Sequence, residues 1–517
     1  MRNGENKKSD VILFVIGGNL VKFCFNLALE LREQSGFQSV FLISESIDIA
    51  ILNKLIREKI PIITFGDLHY RKGCHFDTII ESLVNKKLID LDSITWYEKE
   101  IINRGLSNLK LSTVHRKACE GMFNFEQIVR ALHPWAVFLW NGLTLPTKAY
   151  SYVCKFYNTP VYYCERGYFP KSLVVDKKGV NYGGLLKETV EWKQYCNLFV
   201  QGEDTILEHY LNEMSSKGMS VVEQPKPINP HQLLQQYGIS QEKKIILFPL
   251  QIDVDTNITY YSPYFKTNRD IIVILQEFVS RHKDFHVIVK SHPEEKGEWI
   301  NNLKNKKGMT IVYKTNLYSL IKIARVIIVR NSTVGLEALC QRKPVVVLGQ
   351  AIYGKKGFTY DVTSKNDVER QILRAASEGI LKGESLIRAR AFLFYLLKDY
   401  LYTFQDNAQF KEGNQTIVQN IMKNIAPISY NREYLTKPIN KIQKKIKDIV
   451  NNYQIQKKKY REIASVNYAN NACNYLKNKK YFDFIKEAVK SFRFNPRLPS
   501  FGGIIKLIKI WAKTQKD

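Results

Sequence analysis

The chain has 517 residues, 45% of them hydrophobic and 12% aromatic, too many for one ordinary core and too apolar for a disordered chain, so two or three folded domains are expected. The formal net charge is +28, and residues 431–517 alone hold 21 Lys and Arg against 6 Asp and Glu, a net +15. The eight cysteines are scattered without a Cys-x-x-Cys pair, which excludes a zinc ribbon or a disulfide framework and fits thiols in a reducing cytoplasm.

The polar segment 1–10 leads into an apolar run, Val11–Ile16, that is too short for a signal peptide or a membrane span. No run of 18 apolar residues follows, so any membrane contact is expected to be peripheral. The run reads as a buried strand. Gly17, Gly18 and Asn19 then open a helix over 20–34, and a second strand follows at 39–43, which makes a βαβ unit. The Gly pair permits close approach of a ligand but is not a full dinucleotide fingerprint. Further strands are expected at 60–65, 135–140 and 160–164, with a helix at about 147–157. Asn141 directly follows the 135–140 strand.

A polar stretch, 217–241, reads as a connection. Beyond it, strands are expected at 244–249, 285–290, 326–329 and 344–348, and helices at 271–281, 317–324 and 334–340. This alternation describes a second parallel, doubly wound sheet. After residue 361 the pattern turns helical. The organisation expected is therefore a first Rossmann-like domain over 1–225 and a second over 240–385. A helical segment packed on the core would occupy 386–430, and a basic helical extension 431–517.

Ligands of open α/β sheets sit beyond the carboxyl ends of the strands, and the residues there are polar. Lys290, Ser291, His292 and Pro293 close one strand; a Pro-fixed His is placed to donate to a phosphate or move a proton. Arg330, Asn331, Ser332 and Thr333 open the helix that carries Glu337, in reach of an anion or a ribose. Gln251 and Asp253 share one side of the extended chain after Pro249. In the first domain Glu165 ends a strand beside Arg166 and Gly167. It is a candidate general base, and Arg166 is expected to hold it ionised.

The order of Glu165-Arg166-Gly167, His292-Pro293 and Ser332-Thr333 resembles the acidic-Gly, His-Pro and Ser/Thr motifs of bacterial sialyl-, polysialyl- and Kdo transferases. The wider pattern resembles the capsule polysaccharide biosynthesis proteins. It runs through Glu165–Pro170, Asp176, Gly179–Asn181, Lys290–Pro293, Asn331–Glu337 and Lys343–Gly349. Arg166 stands where many relatives have a second acid.

The resemblance implies a GT-B fold, two Rossmann-like domains facing a cleft. It also implies transfer of a sugar from a nucleotide-sugar to a capsular or surface polysaccharide, with CMP-Kdo or CMP-sialic acid favoured as donor. Gln251, Lys290, His292, Asn331, Ser332, Thr333 and Glu337 would bind the donor. Glu165 and His292 would be catalytic, and Gly17, Gly18, Asn141, Arg166 and Asp176 would line the acceptor side. No obligatory cofactor or metal is expected, because Asp253-Val-Asp255 lacks supporting ligands.

Two other readings of the same fold are a sugar-nucleotide 2-epimerase and a non-catalytic polysaccharide-binding protein. Nucleic acid is not an expected partner, since no recognition motif accompanies the charge. In the tail, Ile442, Ile446, Ile449 and Val450 alternate with lysines, as do Ile504–Trp511 with Lys506 and Lys509. That is the composition of an interfacial helix on an anionic membrane, and it places the protein at the inner face of the cell membrane. The rival is that these apolar faces pack on the core.

Overall fold

The structure is a computed structural model that describes residues 11–17, 20–43, 47–64, 90–200, 205–217, 224–294, 305–403 and 411–425. The chain forms two units, 1–60 with 70–431, and 61–69 with 432–517. The expected tail helices lie outside the described residues, as does Gly18.

The strands are β1 (Val11–Val15), β2 (Gln38–Ile43), β3 (Ile62–Thr64), β4 (Ala136–Trp140), β5 (Val161–Arg166), β6 (Ser172–Asp176), β7 (Lys244–Pro249), β8 (Phe285–Lys290), β9 (Met309–Val312), β10 (Val326–Val329), β11 (Val345–Val347), β12 (Tyr360–Asp361) and β13 (Leu401–Thr403). β3 falls in the smaller unit. In the larger unit one sheet runs β13-β6-β5-β4-β1-β2 and the other β12-β11-β10-β7-β8-β9.

The first sheet is parallel from β2 through β1 and β4 to β5. Parallel register puts Phe14 beside both Phe41 and Phe138, and Phe138 beside Tyr162. Their rings stack at 4.8, 4.6 and 5.0 Å between centroids. Such a ladder needs buried aromatics at matching positions of four strands, and it holds their register. β6 and β13 then add antiparallel to the edge, so the sheet is mixed where the sequence suggested a parallel one. The stretch expected to be helical after 385 thus contains a strand. Helix Gly383–Tyr395 leads through a wider turn into β13. At their junction the Tyr400 hydroxyl donates to Asp176 Oδ2 at 2.8 Å.

All neighbours in the second sheet are parallel. Its central strands β7, β8, β10 and β11 are apolar runs almost wholly buried, as expected for strands covered on both faces. Both sheets reverse strand order once, between β1 and β4 in the first and between β7 and β10 in the second. These switch points are where open α/β sheets bind ligands.

Hydrogen bonds tie the two sheets' loops together. The Tyr97 hydroxyl donates to Val254 O at 2.5 Å, Arg104 to Lys266 O at 2.7 Å and the Tyr260 hydroxyl to Leu143 O at 2.8 Å. The buried Lys356 ammonium donates to Leu186 O at 3.0 Å. Among the described residues no helix is long and apolar enough to cross a membrane.

Candidate active site

At the first switch point Gly17 follows β1 and Asn141 follows β4. Asn141 takes a left-handed φ of 63°, which suits Asn better than most residues because its side chain bonds locally. Its Oδ1 accepts from Leu143 N at 3.0 Å, and its Nδ2 donates to Glu165 Oε2 at 2.7 Å. Asn141 is thus the residue that aims Glu165. The other carboxylate oxygen accepts from the Arg166 backbone N–H at 3.0 Å.

Burial pushes the Glu165 pKa up, and the Asp255 charge adds to the rise. The bonds from Asn141 and the Arg166 N–H oppose it, with the Arg166 charge the least of these effects. Arg166 does favour the ionised carboxylate, as expected, but burial outweighs it: the exposed guanidinium loses much of its field to water, while desolvation acts on the carboxylate directly. A raised pKa makes Glu165 a stronger base once ionised.

Gly167 closes the hairpin from β5 to β6, its N–H donating to Ser172 O at 2.8 Å. A Cβ there would meet Ser172 Oγ at 1.8 Å, so the Glu-Arg-Gly triplet needs its glycine for close approach. Asp176, a candidate for the acceptor side, is buried and engaged. Its oxygens accept from Lys178 N at 2.7 Å, Gly179 N at 3.3 Å, Leu185 N at 2.8 Å and Tyr400. It anchors the loop after β6.

At the second switch point Gln251 and Asn331 form a clasp. Gln251 Nε2 donates to Asn331 Oδ1 at 3.0 Å, and Asn331 N donates to Gln251 Oε1 at 3.2 Å. Asn331 Nδ2 donates to Asn257 O at 2.8 Å. Beneath the clasp lies Arg330, its side chain fully buried. One nitrogen, Nη2, donates to Asp253 Oδ1 at 2.7 Å, Asn268 Oδ1 at 2.9 Å and Gln251 O at 3.1 Å. Gln251, Asn331 and Asp253, which the sequence aimed at the donor or a metal, thus brace the loops to each other.

Ser332 Oγ accepts from Val334 N at 3.2 Å, a local turn, while Thr333 makes no capping bond. The helix Val334–Cys340 is only seven residues long, so its dipole is smaller than the sequence argument assumed. Lys290 and Glu337 are both buried. Burial lowers the Lys290 pKa, and the Glu337 charge opposes that.

His292 is half-buried at the end of β8, and its Nδ1 accepts from Glu294 N at 3.1 Å. That bond leaves Nε2 as the proton-bearing nitrogen of the neutral ring, the atom able to donate to a phosphate.

The residue that sequence reasoning passed over as a catalytic-site member is Asp255. It caps helix Thr256–Tyr261 by accepting from Asn257 N at 2.7 Å. Burial raises its pKa, the Asn257 N–H bond and the charges of His292 and Arg330 lower it, and Glu294 raises it. Asp255 thus feels His292 of the second sheet, and its charge is felt by Glu165 of the first. The only signal in the sequence was its spacing from Asp253. Between these loops lies a small cavity of about 10 Å³, lined by residues that include Tyr168, Tyr182, Asn257, Asn331, Thr333 and Tyr353.

Two Rossmann-like sheets with polar strand-end loops meeting at their switch points define a GT-B-like protein. The match of the family model described as capsule polysaccharide biosynthesis protein covers residues 208–379. It contains His292, Ser332 and Thr333 and stops short of Glu165. Protein FixF of Sinorhizobium fredii is 24% identical over 265 residues, 51% of this chain and 60% of that protein. Capsule polysaccharide export protein KpsS of Escherichia coli is 28% identical over 129 residues, 23% of this chain and 33% of that protein. The chain therefore spans less than two thirds of either relative. A solved structure of Thermosulfurimonas dismutans KpsC, beta Kdo 2,4 transferase, aligns with a TM-score of 0.37 at 17% identity, over 57% of this chain and 88% of that one.

Proposed function

We propose that this protein is a glycosyltransferase that moves a sugar from a nucleotide-sugar, with CMP-Kdo or CMP-sialic acid favoured, onto a capsular or surface polysaccharide. The observation that carries the reading is that Asp255, at a strand end of the second sheet, lies within electrostatic reach both of His292 and of Glu165, which Asn141 holds at the switch point of the first. His292 Nε2–H and the Thr333 hydroxyl bind the donor phosphate, which gains charge as it departs, so donors aimed there favour the transition state over the ground state. Glu165 takes the proton of the attacking acceptor hydroxyl. At about 10 Å³ the cavity holds little more than a water molecule, far below the roughly 300–1,000 Å³ usual for ligand sites. The reading therefore requires the loops bearing Tyr182 and Tyr353 to part when donor enters.

The test is thermal stabilisation by a panel of CMP- and UDP-sugars, since a ligand that binds only the native state raises Tm. At least one CMP-sugar is expected to stabilise the protein. His292→Ala is expected to weaken that binding about tenfold, roughly 1.4 kcal/mol, the scale of one hydrogen bond to a charged group. If no nucleotide-sugar shifts Tm, the reading is wrong. Product formed from donor with no acceptor present would instead identify a 2-epimerase.

We also propose that the enzyme works at the inner face of the cell membrane, held by its basic residues 431–517. Each Lys near an anionic leaflet contributes on the order of 1 kcal/mol. A chain shortened at Pro427 is expected to stay folded and bind donor, but to lose its sedimentation with anionic liposomes at low salt. An insoluble or unfolded product would show that the tail belongs to the core.

A further inference from the structure

A second hollow, of about 180 Å³, lies where the first turn of helix Val21–Ser35 faces the β5–β6 hairpin. Its lining includes Lys22, Phe23, Arg166, Phe169, Pro170 and Lys171. Three of its lining residues are cationic and none is acidic. The Lys22 ammonium lies 5.2 Å and the Arg166 guanidinium 5.4 Å from the centroid of the same ring, Phe23. The two charges are therefore no further apart than the sum of those distances, and they repel.

Among the described residues neither Lys22 nor Arg166 forms an ion pair. The nearest acid in the chain, Glu165, does not satisfy the guanidinium. Its oxygens are bonded to Asn141 and to the Arg166 backbone N–H. The third cation, Lys171, sits at the hairpin tip with a φ of 56°. Like charges gathered in a hollow that admits a small anionic group, over an aromatic ring and a proline, are what an anion attached to an apolar ring face would complement.

We propose that this hollow is a subsite for an anionic group of the acceptor, either the carboxylate of an acidic sugar or a phosphate of the acceptor backbone. Lys22, Arg166 and Lys171 hold the anion, and Phe23 and Pro170 carry the apolar face of the adjoining ring. Arg166 follows the base Glu165 directly, so an acceptor anchored here is held by the residue next to the group that deprotonates it. The inference rests on the glycosyltransferase reading and adds to it that the acceptor is charged.

The test compares binding of three labelled probes to the full chain: a hexamer of galacturonate, a hexamer of glycerol phosphate and neutral cellohexaose. At least one anionic probe is expected to bind more tightly than the neutral one, and the tighter of the two identifies the source of the charge. Lys22→Ala/Lys171→Ala, and separately Arg166→Gln, are expected to weaken that binding by about tenfold or more. Lys283→Ala/Lys307→Ala removes the same charge from two exposed sites elsewhere and is expected to leave binding unchanged.

Equal binding of all three probes, or an equal loss in the control variant, overturns the subsite. Nucleotide-sugar stabilisation measured on the same samples separates the two failures. If it persists, only the anionic subsite falls; if it is absent from the wild type, the transferase reading falls with it.

Discussion

Glu165→Gln is expected to slow sugar transfer by at least ~10²-fold with nucleotide-sugar affinity nearly unchanged, the usual scale for loss of a general base. The substitution keeps the shape and, with its amide oxygen toward Asn141, that contact; the Arg166 N–H loses its acceptor, and the capacity to take a proton is removed. The pH profile gives a second readout. Burial raises the Glu165 pKa above its ordinary 4.5, and the base works only when ionised. Activity should therefore fall as pH drops through a value above the ordinary carboxylate range, and the Gln variant should lack that limb.

A collapse of donor affinity in place of the rate would make Glu165 a binding residue. The base would then be sought at Asp255. Asp176 has four donors on its oxygens and Asp253 is paired with Arg330, so neither has the freedom a base needs.

Arg330→Met should destabilise the protein by about 3 kcal/mol, read as a lower urea midpoint, because removing one partner of a buried ion pair strands the other. Methionine fills much of the volume, so little of the loss comes from a cavity. What disappears is the nitrogen shared by Asp253, Asn268 and the Gln251 carbonyl. Asp253 would keep only the Asn268 N–H at 3.1 Å, with its side chain 20% exposed. That residual bond and partial hydration set the expected loss near the lower end of the range for buried pairs. A loss under about 1 kcal/mol would show that desolvation of the guanidinium nearly cancels the attraction. The Gln251–Asn331 clasp rests on the same loop, so donor affinity should fall with stability; a fall in stability alone would mean that the clasp holds without its support.

Much of the scaffold was legible in the residues. Runs such as Ile245–Phe248 and Val326–Val329 are apolar without alternation because a parallel strand is covered on both faces. Their ends are marked by the first polar residues, and that is why Glu165, His292 and Ser332-Thr333 could be located. β6 and β13 could not be found this way: Ser172–Asp176 and Leu401–Thr403 are short, and they become strands by antiparallel pairing at the sheet edge, β6 with β5 and β13 with β6. The helix Leu111–Leu132 was also passed over, although its buried residues Val114, Ala118, Met122, Phe125 and Val129 recur at helical spacing.

What the sequence alone determined, then, was the strand cores, the loops where chemistry gathers and the basic end of the chain. The direction of each polar side chain in those loops was decided only by tertiary structure. Gln251, Asp253 and Asn331 turn to brace the second sheet, because Arg330 and Asn257, distant in sequence from some or all of them, bring partners within hydrogen-bonding reach. Asp255 joins His292 to Glu165, and Lys22 meets Arg166 over one ring, across more than a hundred residues of chain. Local pattern specifies burial and period, which depend on neighbours in the chain. The partner a polar group finds depends on which loops the folded sheets bring together, and that is a long-range property.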